Sequence, residues 1–298
     1  MRVRALVNGR IYSSFKPIRV HEAMVTAGKN IVYVGSSEKA ERLASHMDGE
    51  VVDLEGRAVL PGFIDVHMHV DNLGLALSSL DLRGTGSIRE LKERLRRYYE
   101  EHRGASWILG RGWDQELFEE KRWPTRWDLD EAVSDKPVLL VRICGHAAVA
   151  NTKALELAGL LDNPPDDPNV RQDEEGRPTG LLVEDAIMQV RSRISFTDEE
   201  LEAMVEKALW HAASLGVTTL GFVSCSPRVL SMLERIRLRL GRLPVRIRAY
   251  LSREAAEPLL ELGVRRGFGN EYLKIMGVKL FTDGSLGART AWLSEPYD

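Results

Sequence analysis

Along residues 1–60 apolar and polar positions alternate, and turn residues interrupt the alternation. ALVNGRIY, EAMVTAGKNIVYVG and EVVDLEGRAVL show it around Asn8-Gly9, Gly28-Lys29-Asn30 and Glu55-Gly56. Successive strand side chains face opposite ways, so a period of two marks half-buried strands joined by tight turns. A small β-sandwich domain is expected over residues 1–60.

From residue 196 the period lengthens. Thr197 with Glu200 makes a capping box, and Leu201, Met204, Val205, Ala208, Ala212 and Leu215 follow at helical spacing up to Gly216. VTTLGFV then reads as a buried strand. Ser226-Pro227 opens a second helix that ends near Gly241, before the strand PVRIRAYL. Ser252 opens a third, which runs to Gly263, before LKIMGVKLF. Helices alternating with near-continuous apolar strands predict an α/β fold with a parallel sheet covered on both faces. The (β/α) TIM barrel is its commonest closed form. Strands are expected near residues 62, 218, 247 and 277.

Residues 83–195 break this rhythm. A capped helix from Ser87 to about His102 is followed by Trp-rich and Pro-rich segments, which predicts an α+β insertion over the barrel mouth. The barrel portion, 61–82 with 196–298, then amounts to roughly 125 residues, about half of the ~250 typical of the closed fold. The chain is expected to carry about four strands of eight, as the N-terminal portion of a longer protein.

Composition adds mainly exclusions. The chain is 44% hydrophobic and 29% charged with a net charge of −3, a balance that gives no electrostatic reason for a nucleic-acid or membrane partner. No apolar run nears the ~18 residues of a membrane span, and the start has no signal-like apolar region, so a cytoplasmic protein is expected. Cys144 and Cys225 are too few for a disulfide framework.

The candidate chemistry begins at PGFIDVHMHV. On a strand, His67 and His69 lie on one side, and Asp65 shares their parity and is placed to orient one of them. Two imidazoles side by side suit a cation such as zinc; the plain alternative is two polar strand-end residues. Lys279 is the second anomaly, late in an apolar strand. A buried ammonium there would react with carbon dioxide to give a bridging carbamate, whereas a stem-buried lysine reaching solvent explains the position as well. His146 follows PVLLVRICG and Glu184 lies at a predicted helix start. Each reads either as a catalytic group or as ordinary structure: a core histidine and a first-turn carboxylate. Asp283 joins them as a third catalytic candidate, and Trp113 and Arg142 are candidate substrate contacts. The helix RVLSMLERIRLRLGR is expected to be a solvated outer face.

VVDLEGRAVLPGFIDVHMH resembles the opening of the metal-dependent amidohydrolase superfamily. GRGWDQ, RWPTRWDLD, PVLLVRICGHAAVANTKAL, PTGLLVEDA and GVKLFTDGSLGARTA are similar to the branch that includes N-substituted formamide deformylase. The acidic NPPDDPNV departs from that branch, which usually has a Gly-Gly pair there. The resemblance implies a TIM barrel behind a β-sandwich domain. It implies that His67 and His69 are the first two ligands of one or two divalent ions, zinc by preference. Lys279 matches the often carboxylated lysine that bridges two zinc ions. Further histidines and a late aspartate would lie beyond residue 298. The implied activity is hydrolysis of a C–N bond, in a small amide or formamide, by a metal-activated hydroxide. Two other readings stay open: an inactive fragment that depends on assembly, and a mononuclear deaminase of a cyclic substrate. An assembly of identical copies also stays open.

Overall fold

The structure, a computed structural model, describes residues 2–162, 167–284, 286 and 289–297. Asn163–Asp166 of the acidic loop, Ser285, Gly287 and Ala288 of the GVKLFTDGSLGARTA stretch, and Asp298 lie outside the described residues. The chain divides into two compact units, one made of the residues up to Ile64 with Gly216–Thr219, the other of the remainder.

In the first unit the strands are β1 (Val3–Val7), β2 (Arg10–Phe15), β3 (Ile18–His21), β4 (Ala23–Ala27), β5 (Asn30–Gly35), β6 (Glu50–Asp53) and β7 (Ala58–Val59). They form one sheet in the order β5-β4-β1-β6 and a second in the order β3-β2-β7. The alternation resolves as expected: Val3, Ala5, Val7, Ala23, Val25 and Ala27 turn inward. Their cover is a helix the alternation does not reveal, α1 (Ser37–His46), which packs Ala40 and Ala44 on them.

The second unit contains most of a four-stranded sheet in the order β17-β16-β15-β8, with β8 (Phe63–Met68), β15 (Val217–Cys225), β16 (Arg246–Leu251) and β17 (Leu273–Val278). Its helices are α2 (Val70–Leu77), α7 (Asp198–Ser214), α8 (Pro227–Leu240) and α9 (Arg253–Glu261). Local chemistry sets their ends. Thr197 and Glu200 exchange the reciprocal capping bonds, Ser226 and Ser252 cap α8 and α9, and Gly241 closes α8 in the left-handed region. Among the described residues these strands make an open sheet rather than a closed barrel. The sheet is also not covered on both faces as expected. In β16 Ile247, Ala249 and Leu251 are buried while Arg246, Arg248 and Tyr250 stay partly exposed, and Val66 of β8 is 74% exposed. The arginine-rich α8 faces acidic α7: Arg228 pairs with Asp198, Arg235 with Asp198 and Glu202, and Arg239 with Glu202 and Glu206. Those charges neutralise one another.

Residues 80–183 build a six-stranded mixed sheet in the order β13-β14-β12-β11-β10-β9. Its strands are β9 (Leu80–Asp81), β10 (Ile108–Trp113), β11 (Val138–Arg142), β12 (Ala147–Ala150), β13 (Val170–Gln172) and β14 (Pro178–Val183). The unbroken apolar run of β11 is buried on both faces. Val138 and Leu140 join a core with α3 (Ile88–Glu101) and α4 (Arg126–Asp130). Leu139 and Val141 join one with α5 (Thr152–Ala158) and α6 (Asp185–Arg191). Buried Asn151 ties the layers together. Its Oδ1 accepts from Val138 and Ala154 N–H, and its Nδ2 donates to Val133 and Lys136 carbonyls. No described helix is long and apolar enough to cross a membrane.

The tightest helix contact joins α2 to α7. A Cβ at Gly74 would lie 2.3 Å from the Met204 carbonyl oxygen. We expect Gly74→Ala to force the helices apart and lower stability by about 1–3 kcal/mol in urea unfolding; an unchanged midpoint would show the contact to be slack.

Candidate functional site

His67 of β8 and His69, one residue past its end, have ring centroids 5.6 Å apart and planes at 68°. His69 is also the N-cap residue of α2, yet its side chain makes no capping bond. Among the described residues neither ring has a hydrogen-bond partner. Asp65 does not orient an imidazole as expected. Its Oδ1 accepts the backbone N–H of His67 at 3.0 Å and so fixes the strand end instead. Both rings therefore keep their nitrogen lone pairs available, which fits two corners of a cation site. Among the described residues no cluster of three or more His, Cys, Asp or Glu forms, so the pair is a partial shell.

Beside β8, on β15, lies a residue that the sequence pattern did not single out. Ser224 has φ 57° and a buried Oγ without a hydrogen-bond partner. A positive φ and an orphaned hydroxyl each cost stability, so the surroundings of Ser224 must hold it in place.

Lys279 stands one residue past β17, on the opposite edge of the sheet from β8. Its N–H donates to the Leu251 carbonyl, and its ammonium sits 4.6 Å from the centroid of the Phe281 ring. Asp283 accepts from Thr282 Oγ1 and from the backbone N–H of Trp292, so its carboxylate shapes its own loop.

The remaining candidates gather around the turn that joins β11 to β12. Arg142 donates from Nη2 to Asp114 at 2.6 Å and from Nε to Gln115 at 2.7 Å, with Trp123 beneath it. Trp113 is fully buried, packs on Phe118 and Trp123, and donates its indole N–H to the Leu140 carbonyl. The expected substrate contact is instead a core residue. His146 is no core histidine: its side chain is 71% exposed and its Nδ1 lies 3.1 Å from Glu184 Oε2. Glu184 N–H also donates to the His146 carbonyl. Glu184 occupies the N-cap of α6 at φ 48°, ψ −122°, a costly conformation that aims its carboxylate at His146 rather than at the helix. The hydrogen bond and charge of Glu184 hold the His146 pKa above its ordinary value.

Cys144, between Arg142 and His146, was legible only as a cysteine that lacks a partner. Partial desolvation pushes its thiol up. The adjacent Arg142 guanidinium and the N–H groups of His146 and Ala147 more than offset this, leaving Cys144 below its ordinary pKa. Burial pushes Cys225 strongly the other way, helped by the Asp71 carboxylate.

The chain is similar to known proteins along most of its length. A family model described as Amidohydrolase family matches residues 50–298. A solved structure described as an uncharacterized metal-dependent hydrolase from Pyrococcus furiosus is similar at a TM-score of 0.83 and 41% identity, over 99% of this chain and 59% of that one. A Bacillus subtilis (strain 168) protein named as the amidohydrolase YtcJ is 32% identical over 97% of this chain and 55% of its own length. N-substituted formamide deformylase of Arthrobacter pascens is 31% identical over 62% of this chain and 35% of its own length. The chain spans about half the length of the curated relatives it matches.

Two predictions follow from the β11–β12 turn. Because the His146 pKa is raised, its pairing with Glu184 is fully formed below pH 6.5 and fades as pH rises through the raised value. An NMR titration of the His146 ring should place its midpoint above 6.5 and return it toward 6.5 in Glu184→Gln; an unmoved midpoint contradicts the pairing. In native protein near neutral pH, iodoacetamide should alkylate Cys144 at least roughly tenfold faster than Cys225. Arg142→Gln should narrow that gap, read by peptide mass spectrometry.

Proposed function

The chain belongs to the amidohydrolase family, and from that premise we propose that the protein is a metal-dependent hydrolase of a C–N bond in an amide or formamide. The observation that carries this reading is the pair of imidazoles at the end of β8, without hydrogen-bond partners among the described residues and inside the matched stretch. His67 and His69 are its first two ligands, and zinc is the ion best suited to neutral imidazole. The formamide-type substrate draws on the relative named N-substituted formamide deformylase. We read the chain order β8, β15, β16, β17 across the sheet as the first half of a (β/α) barrel, since successive barrel strands lie side by side. The two sheets of the first unit are read as its β-sandwich. Two free cysteines suit a cytoplasmic setting.

When bound, a divalent cation would lower the pKa of water to about 7 and polarise a carbonyl. The chain's own groups do the rest. His67 and His69 would hold the cation from the end of β8. Glu184 favours the doubly protonated His146, which can give its Nε2 proton to a departing nitrogen while its Nδ1 proton stays bonded to Glu184. Arg142 is fixed by Asp114 and Gln115, so it positions the turn that carries His146. Lys279, N6-carboxylated, would bridge a second cation, and Asp283 is retained as a further catalytic candidate on the same loop.

In the whole protein, His67→Ala and His69→Ala should each lower bound zinc, measured by elemental analysis. Each should cut N-alkylformamide hydrolysis by at least roughly 100-fold with an unchanged circular dichroism spectrum. Full metal content or full turnover in either variant would sink the assignment.

A further inference from the structure

A cavity of about 790 Å³ opens in the second unit, away from the histidine pair's own ring contacts and within the size range of small-molecule sites. Its floor is one face of the six-stranded sheet. Leu109 of β10 lies in register with Leu139 of β11, and Arg111 with Val141. Since alternate residues share a face, Arg111 stands where the strand's parity calls for an apolar side chain. The guanidinium is exposed there, and so open to an anion that enters the cavity.

No protein anion meets it. Among the described residues the Arg111 side chain has no hydrogen-bond, ion-pair or ring partner, and the same holds for Arg191, which lines the cavity from the end of α6. The one carboxylate on the lining, Asp81, is engaged by Arg83 through three hydrogen bonds to its guanidinium. That pair is internally neutral, and it leaves the other two guanidinium groups as the net charge of the lining. The apolar remainder, Leu75 of α2 and Ile194 beyond α6 among it, offers a surface for hydrocarbon.

We propose that this cavity binds an amphipathic carboxylate: an apolar body seated on β10 and β11, with its acid group held by Arg111 and Arg191. A planar carboxylate matches the donor fork of a guanidinium, and two such forks at a half-apolar site discriminate charge as well as shape. The inference goes beyond the hydrolase reading and needs no metal, so it is tested on metal-stripped protein.

The probes are 4-phenylbutyrate, 4-phenylbutan-1-ol and 4-phenylbutylamine, titrated calorimetrically at low ionic strength. The acid should bind at least roughly tenfold more tightly than the alcohol and the amine most weakly, with the acid's affinity falling as salt rises. Arg111→Gln with Arg191→Gln should remove that tenfold preference and leave the alcohol within about twofold. Arg191→Gln alone, at an exposed helix end, serves as the variant least able to disturb folding, and Ala76→Trp on α2 should block all three probes by filling the cavity. Equal binding of acid and alcohol, an acid affinity indifferent to both arginines, or no binding of any probe overturns the proposal.

Discussion

The near-contact between Gly74 and the Met204 carbonyl fixes where α2 lies, and the chemistry of the second unit is arranged around that helix. Only a residue without a side chain lets the two backbones come this close. Lys207 of α7 then donates to the Leu77 carbonyl at the C-terminal end of α2, where the helix dipole favours a cation. At the other end α2 begins at His69, so the angle of the helix sets the direction in which β8 releases its second imidazole. The exposed flank of the same helix supplies Leu75 and Ala76 to the cavity wall. One backbone contact thus couples the candidate metal ligands to the candidate anion site, although the two share no side chain.

The six-stranded sheet has a different role: it holds the β11–β12 turn rigid from below. β11 is buried on both faces, Trp113 locks the end of β10 to Leu140, and Asn151 satisfies four backbone groups at the opposite end of the strand. On that base the turn can carry costly features. Arg142 is held by two polar partners, Cys144 lies among positive charge and N–H donors, and Glu184 adopts a strained backbone to reach His146. Strain of this kind persists only where the surroundings over-determine it.

What the sequence revealed follows the range of the forces involved. The Thr197–Glu200 capping box, Ser226-Pro227 with Gly241, and the Asn8 and Gly28 turns act within a few residues, and each appears where its chemistry predicts. The helix Ser37–His46 escaped because its inward face is mostly alanine, too weakly apolar to register as a periodic stripe. The order of β9 to β14 was equally illegible, since pairing between distant strands leaves no local trace. The candidate site divides the same way. His67 and His69 stood out because they lie two apart in the sequence. The link from His146 to Glu184 spans 38 residues and emerges only from the fold. The role of Trp113 was misread because an aromatic in a motif looks alike whether it lines a pocket or fills a core.

In the second unit the polar groups separate into those the fold has satisfied and those it has left open. Asp114, Gln115, Asp128, Asn151 and Glu200 are enclosed in bonds to neighbours and act as structure. The imidazoles of His67 and His69, the hydroxyl of Ser224 and the guanidinium groups of Arg111 and Arg191 have no such partners among the described residues. Leaving a strand-end hydroxyl buried and unpaired lowers stability, and it is not needed to build the sheet. Folding alone gives no reason for this second group. The proposed ligands would: a cation would satisfy what the histidines offer, and a carboxylate what the arginines offer.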